Sequence, residues 1–237
     1  MFELKHINNW SYYSLPELEL KGVLHGFFTK TSPSHLMEGE DRKGFLNTFG
    51  LSDLIIMDQE HGNEVHVIKN LERPQKGDGL VLVEKNTAGI IKTADCLPII
   101  IADRDIPLAA IVHAGWRGTV RKITEKALEK MAGLGAKPQR MTVLFGPSIR
   151  ACCYEVGEDV KQAFREEGFS NEIYKEEGSA LFLDLVQANR ELVEAAGVRD
   201  VHDVGLCTLC NREAFASFRR GDHSLRQISF VSVLDRV

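Results

Sequence analysis

KTADCLPIIIADRDIPLAAIVHAGWRGT, residues 92–119, holds two short apolar runs around a charged turn, followed by a glycine-bearing passage out of the second run. The runs at 97–102 and 108–113 are rich in Ile, Leu and Ala or Val and are bounded by charged residues, so they read as two strands paired about Asp103-Arg104-Asp105. Counting outward from Arg104, Cys96 lies eight residues back and His113 nine forward. A hairpin therefore brings a thiol and an imidazole to the same end of a sheet. Beyond His113 the chain passes Gly115 and Gly118 and is expected to enter a helix at Thr119, with Val120, Ile123, Ala127, Leu128 and Met131 on its buried face.

Further strands are expected at 54–57, 79–83, 89–91 and 141–145, with strand character again around Cys207 and over 228–234. Helices are expected over 158–167, ending at Gly168, and from an Asp184 N-cap with Gln187 three residues on, ending at Gly197. The class is α/β or α+β, with large sheets and helices outside them. No repeat and no Ser/Pro/Gly-rich linker divides the 237 residues, so residues 1–237 read as a single domain.

Composition narrows the function classes. With 43% hydrophobic and 27% charged residues the chain is neither disordered nor fibrous. Its net charge of −5 lacks the positive field that polyanion binding needs, so no nucleic-acid partner is expected. No run of about 18 apolar residues occurs, and the N-terminus has no basic segment followed by an apolar one. A cytoplasmic protein with no membrane partner is the expectation. Five cysteines, an odd number, point to thiols rather than a disulfide framework.

Three segments concentrate reactive groups: DQEHGNEVHV around His61, KTADCLP around Cys96 and VHAGWRGT around His113. His61, Cys96 and His113 can form a three-donor Zn²⁺ site with its fourth position open, the pattern of a catalytic zinc. On spacing alone, a buried free cysteine beside hydrogen-bonded histidines is the simpler account, because no H-x-x-x-H or C-x-x-C joins the three. Gly115, Gly118 and Thr119 at the strand-to-helix turn, with the Arg117 fork of donors, form a candidate anion site. Asp78 and Glu64 are the candidate general acid/base carboxylates, while Asp95, pointing away from Cys96 in an extended segment, reads as structural. Cys152-Cys153 and Cys207-x-x-Cys210 are read as structural or site-lining, since a lone C-x-x-C lacks the second pair of a zinc ribbon. Arg212, Arg219, Arg220 and Arg226 read by default as a solvated face.

Together HGFFTK (25–30), DQEHGNEV (58–65), GDGLV (77–81), KTADCLPI (92–99), VHAGWRGT (112–119), GPSIRACCYEVG (146–157), CTLCN and FRRGDHSLRQ resemble the YfiH/YlmD family, also labelled laccase-domain or multi-copper polyphenol oxidase. The chain departs from the family at Thr31-Ser32-Pro33-Ser34, where a Gly-Gly-Val-Ser type turn is usual, and at Ser224-Leu225-Arg226, where Thr-Gly-Arg is usual. The resemblance implies a four-layer α/β/β/α sandwich with mixed sheets and a metal held by His61, Cys96 and His113. The implied ion is Zn²⁺, with copper the alternative. The implied activity is phosphorolysis of adenosine or inosine, with adenosine deaminase and methylthioadenosine phosphorylase side activities. Small nucleosides and phosphate are then the partners. The rival is a peptidoglycan-precursor editing hydrolase that releases a misincorporated amino acid from a UDP-muramyl intermediate; a third class is a metal-stabilised binding module without catalysis. Oligomeric state is not readable.

Overall fold

A computed structural model describes residues 1–19, 21–33, 36, 39–69 and 76–235. In chain order the elements are β1 (Glu3–Ile7), β2 (Trp10–Ser14), α1 (Pro16–Glu19), β3 (Val23–Phe28), α2 (Gly39–Phe49), β4 (Asp53–Ile56), β5 (Val65–Ile68), β6 (Gly79–Leu82) and β7 (Thr87–Thr93). Then come β8 (Leu97–Asp103), β9 (Ala109–Ala114), α3 (Trp116–Val120), α4 (Ile123–Gly133), β10 (Met141–Phe145), α5 (Glu158–Glu166), β11 (Tyr174–Glu177), β12 (Ala180–Leu183), α6 (Leu185–Ala195), β13 (Asp200–Asp203) and β14 (Gln227–Val233).

Two six-stranded mixed sheets form, ordered β1-β2-β3-β14-β7-β4 and β13-β10-β8-β9-β6-β5. The β8–β9 hairpin lies at the centre of the second sheet, every residue of both strands buried, which is why its sequence reads as nearly continuous apolar runs. Strand alternation splits these runs between two cores. Ile100, Ala102, Ala109 and Ile111 face Phe27, Ile91 and Val231 of the first sheet. Ile99, Ile101, Ala110 and Val112 face outward onto Ile123, Ala127, Met131, Phe164 and Val193 of the helices. On the far side of the first sheet, Phe45 and Phe49 of α2 pack into an aromatic cluster with Trp10, Tyr12, Phe28 and Phe230. The layers are thus helix, sheet, sheet, helix.

The hairpin turn is closed by Asp103, whose buried carboxylate accepts from the backbone N–H of Asp105 at 2.8 Å and of Ile106 at 3.1 Å. The α6 N-cap forms as its sequence suggests, with Asp184 Oδ1 accepting from Gln187 N at 3.0 Å. Two local expectations are corrected. The helix expected to begin at Thr119 is two helices: α3 already starts at Trp116, and the left-handed Lys122 (φ 59°) breaks the path before α4. Around Cys207 there is only an isolated bridge to Ser148, because the strand of that region, β13, ends at Asp203. Of the Thr31–Ser34 departure, Ser34 lies outside the described residues.

Candidate functional site

The hairpin register pairs Pro98 with His113 and Leu97 with Ala114. Cys96, one residue before β8, therefore shares the inward parity of His113 at the end of the gap between the sheets. The loop after β4 brings His61 to the same point in a left-handed conformation (φ 57°). The donor atoms of His61, Cys96 and His113 lie within 4.8 Å of one another, and the two imidazoles meet edge to face at 4.8 Å.

Asp78 organises this corner. Its carboxylate is fully buried and accepts from four donors: Glu60 N at 3.2 Å, His61 N at 3.0 Å, Gly62 N at 2.7 Å and His113 Nδ1 at 2.7 Å. Burial pushes the Asp78 carboxyl up, but the bonds from His113 and from the Gly62 and Glu60 amides outweigh it and hold the group below its usual range. Because Asp78 takes Nδ1, His113 presents Nε2 to the cluster, the arrangement of a carboxylate-oriented metal ligand. Burial raises the Cys96 thiol, yet the charge on His113 and hydrogen bonds from His113 and His61 bring it down to about 6. His113 behaves in mirror fashion: burial lowers it, and the Cys96 thiolate with Asp78 lifts it to about 9. Two imidazoles and one thiolate suit a borderline-soft divalent ion, and they leave a fourth position for a small ligand.

Close packing fixes the strand-to-helix turn. A Cβ on Gly115 would stand 3.0 Å from Cys96 Sγ, and one on Gly118 would stand 2.8 Å from the carbonyl oxygen of Gly62. Thr119 is buried inside α3, its N–H spent on Gly115 O and its hydroxyl accepting from Asn189 Nδ2. The expected anion site is accordingly reduced. Arg117 reaches the adjoining cavity, its guanidinium stacked 4.5 Å from the Trp116 ring, whereas Gly118 and Thr119 are committed to internal packing.

That cavity, about 600 Å³, opens beside the cluster. Lys92, Arg117, Arg219 and Arg226 line it, together with Trp116, Tyr154 and Phe218. Neither proposed carboxylate is part of its wall: Asp78 is saturated and buried, and Glu64 is exposed with its backbone carbonyl bonded to Asp78 N and Gly79 N. Asp95 anchors the loops around it. Held at φ 93°, Asp95 accepts from the Thr208 hydroxyl at 2.6 Å, the Ser217 hydroxyl at 3.0 Å and Arg219 N at 2.8 Å. Arg219 is also stacked on Tyr154 at 5.4 Å and donates both terminal nitrogens to Glu155 O. Of the C-terminal arginines expected on a solvated face, Arg219 and Arg226 belong to the cavity, and Arg220 is structural, bound to Asp222 and to the carbonyls of Thr208, Leu209 and Phe215. Tyr154 and Phe218 had no sequence signal beyond lying in the GPSIRACCYEVG and FRRGDHSLRQ segments.

Two packed mixed sheets, helices outside both, and a His₂Cys cluster able to hold a metal ion beside a cationic cavity define the class as an α/β/β/α sandwich with a site at one end of its sheets. Residues 29–234 match the family described as multi-copper polyphenol oxidoreductase laccase, and the chain belongs to that family. It is 37% identical over 188 residues to a purine nucleoside phosphorylase of Deinococcus radiodurans, covering 79% of this chain and 73% of the relative. It is 34% identical over 185 residues to adenosine deaminase RL5 of an unknown prokaryotic organism, covering 72% and 71%. The crystal structure of the Bacillus licheniformis hypothetical protein YfiH superposes with a TM-score of 0.85 at 25% identity, over 98% of each chain.

Proposed function

We propose that the chain, acting as one domain, is a zinc-dependent purine nucleoside phosphorylase that converts adenosine or inosine and phosphate to the free base and ribose 1-phosphate. Adenosine deamination and methylthioadenosine phosphorolysis are its side activities. The observation that carries the reading is the three-donor cluster opening on a cavity with four cationic side chains and three aromatic ones. The names of the Deinococcus and RL5 relatives support the same chemistry. The copper-oxidase label fits the donors less well. Four-electron oxygen reduction needs several copper centres, and the other metal-capable group among the described residues offers four thiols and no imidazole.

In this mechanism Arg117, Arg219 and Arg226 hold phosphate by charge-assisted hydrogen bonds and aim one oxygen at C1′ of the ribose. The C1′–O bond forms as the C1′–N9 bond breaks, and the proton that hydrogen phosphate gives up on becoming the ester passes to nitrogen of the departing base. Tyr154 and Phe218, the latter 53% exposed, offer faces against which the purine stacks. His61, Cys96 and His113 would hold the zinc, which would supply Lewis acidity toward an oxygen of phosphate or water. Asp78 is a positioning residue that fixes His113 and the His61 loop. For deamination, the exposed Asp58 on the cavity wall is the carboxylate placed to exchange the proton, in preference to Glu64 or Asp78.

Incubation with adenosine, with and without inorganic phosphate, followed by chromatography with mass detection, tests the reading. Phosphate-dependent adenine and ribose 1-phosphate support it, and inosine adds deamination. Absence of turnover, together with phosphate-independent release of an amino acid from a UDP-muramyl precursor, replaces it with the editing-hydrolase reading. Cys96→Ala is expected to lose the cluster's metal and turnover together; full activity in a metal-free variant overturns the metal role.

A further inference from the structure

Four cysteines that the proposed reaction does not use converge on one point. Cys152 and Cys153 lie in the turn after β10, and Cys207 and Cys210 lie in the loop after β13. Their four sulfurs are within 4.8 Å of one another, with Cys153 Sγ 3.4 Å and Cys152 Sγ 3.7 Å from Cys210 Sγ. All four are free thiols. We propose that Cys152, Cys153, Cys207 and Cys210 bind a zinc ion in an all-thiolate tetrahedral site, distinct in its residues from the His61–Cys96–His113 cluster, which clips together two loops flanking the cavity.

The spacing fits a single ion. Zinc–sulfur bonds of about 2.3 Å at tetrahedral angles put neighbouring sulfurs about 3.8 Å apart. A multi-iron cluster would spread its cysteines further than these four are spread, and four sulfurs without imidazole favour a soft tetrahedral ion such as zinc over harder, oxygen-seeking ions. Cys152-Cys153 supplies the second pair that the Cys207-x-x-Cys210 segment lacks in the linear sequence. Fifty-odd residues separate the pairs, and the backbone joins them through the Ser148–Cys207 bridge, with Thr208 N donating to Ser148 O at 3.0 Å.

The surroundings are built before any ion arrives. The Arg220 guanidinium donates to the carbonyls of Thr208 and Leu209, holding the C-x-x-C turn, and Arg150 forms a two-pronged ion pair with Asp203. Binding replaces thiol protons with four zinc–sulfur bonds, releases those protons and changes no oxidation state. The clip reaches the active cavity on both sides. Tyr154 follows Cys153 directly, and Thr208 hydrogen-bonds to Asp95, which anchors Arg219. The inference stands on this cluster's own geometry and holds whichever reaction the cavity performs.

Metal analysis of the full chain produced with zinc under reducing conditions tests it. The parent is expected to carry two zinc ions, and Cys96→Ala and the double variant C207S/C210S one each. In zinc-loaded Cys96→Ala, alkylation of the four thiols is expected to slow about tenfold or more relative to the chelator-treated protein. Cobalt in the same variant should give the charge-transfer and visible bands of a tetrahedral tetrathiolate ion. Should the double variant fail to fold, the Cys96→Ala measurements decide alone. A zinc-free Cys96→Ala protein whose thiols alkylate equally fast with or without added zinc overturns the site, as does a mass lower by two or four hydrogens from disulfides in the freshly isolated protein. Iron in the site, visible as colour, overturns the choice of zinc.

Discussion

Replacing Asp78 by Asn removes one charge without changing the side chain's shape, and the structure lets the cost be worked out. Two donors converge on each carboxylate oxygen: His61 N and His113 Nδ1 on Oδ1, Glu60 N and Gly62 N on Oδ2. An amide offers one oxygen and, in place of the other, an NH₂ group that faces two donors. Two bonds to a charged acceptor are lost, each worth about 1.5–3 kcal/mol, so metal-free Asp78→Asn should be destabilised by about 3–6 kcal/mol before the loop relaxes. At about 2–4 °C per kcal/mol for a chain of this size, its melting temperature should fall by about 6–12 °C at the lower bound. The orienting bond to His113 Nδ1 weakens as well, and loss of such a partner lowers metal affinity about 10- to 100-fold. Zinc competition against a chromophoric chelator measures the affinity, and thermal melts of metal-free protein measure the stability. Zinc affinity within about twofold of the parent, together with an unshifted melt of the metal-free protein, would refute the assignment of Asp78 as the organiser of the corner.

Arg117→Lys keeps the charge and loses the fork, so the KM for phosphate should rise about 10- to 100-fold with a smaller change in kcat; steady-state kinetics against phosphate show it, and an unchanged KM removes Arg117 from the anion site. His25 is held neutral in the fold, accepting from Leu15 N at 2.9 Å, because burial pushes it down to about 4 against the upward pull of the Val23 carbonyl. The unfolded chain takes up that proton near 6.5, so the contribution is complete above 6.5 and declines as pH falls toward about 4, by about 3 kcal/mol in all. Denaturant melts of His25→Gln, which keeps an acceptor for Leu15 N–H, should lack that part of the slope; identical pH profiles would sink the argument. Phe45→Ala empties the centre of the aromatic cluster and should cost about 3–5 kcal/mol by urea unfolding while leaving metal content at parent level, and a cost under about 1 kcal/mol would mean that the cluster collapses around the gap.

The hairpin at 92–119 was legible because its strands are local in sequence and buried on both faces, so composition, turn and register agree. The meeting of Cys96 with His113 followed from counting. His61, in the loop after β4, reaches them from outside the hairpin; its segment marks it as a candidate donor, but no spacing motif ties it to the other two, and the family resemblance is what favours the trio. Thr119 was misplaced because apolar periodicity continues through the break at Lys122, and nothing in a lysine's chemistry announces a left-handed backbone. Asp78 presents a different difficulty: nothing in a carboxylate set between two glycines signals the four donors that converge on it from the 60–62 loop and from β9. Arg219 and Arg226 lie more than a hundred residues from Cys96, and a surface cluster is the sound default for arginines until long-range packing is known. The cysteine pairs present the same distance problem, since it is the parallel pairing of β10 with β13 and the Ser148–Cys207 bridge beyond it that make them neighbours.

The two-sided burial of β8 and β9 sets how the site breathes. Amide hydrogens along these central strands exchange with solvent only when the whole sheet comes apart, whereas those of the exposed 218–226 segment exchange through small local openings. Cys96 and His113 are thus tied to the slowest-opening part of the molecule and Arg219, Arg226 and Phe218 to a faster one. Hydrogen exchange is therefore expected to rank the amides of β8 and β9 slowest and those of residues 218–226 among the fastest around the cavity.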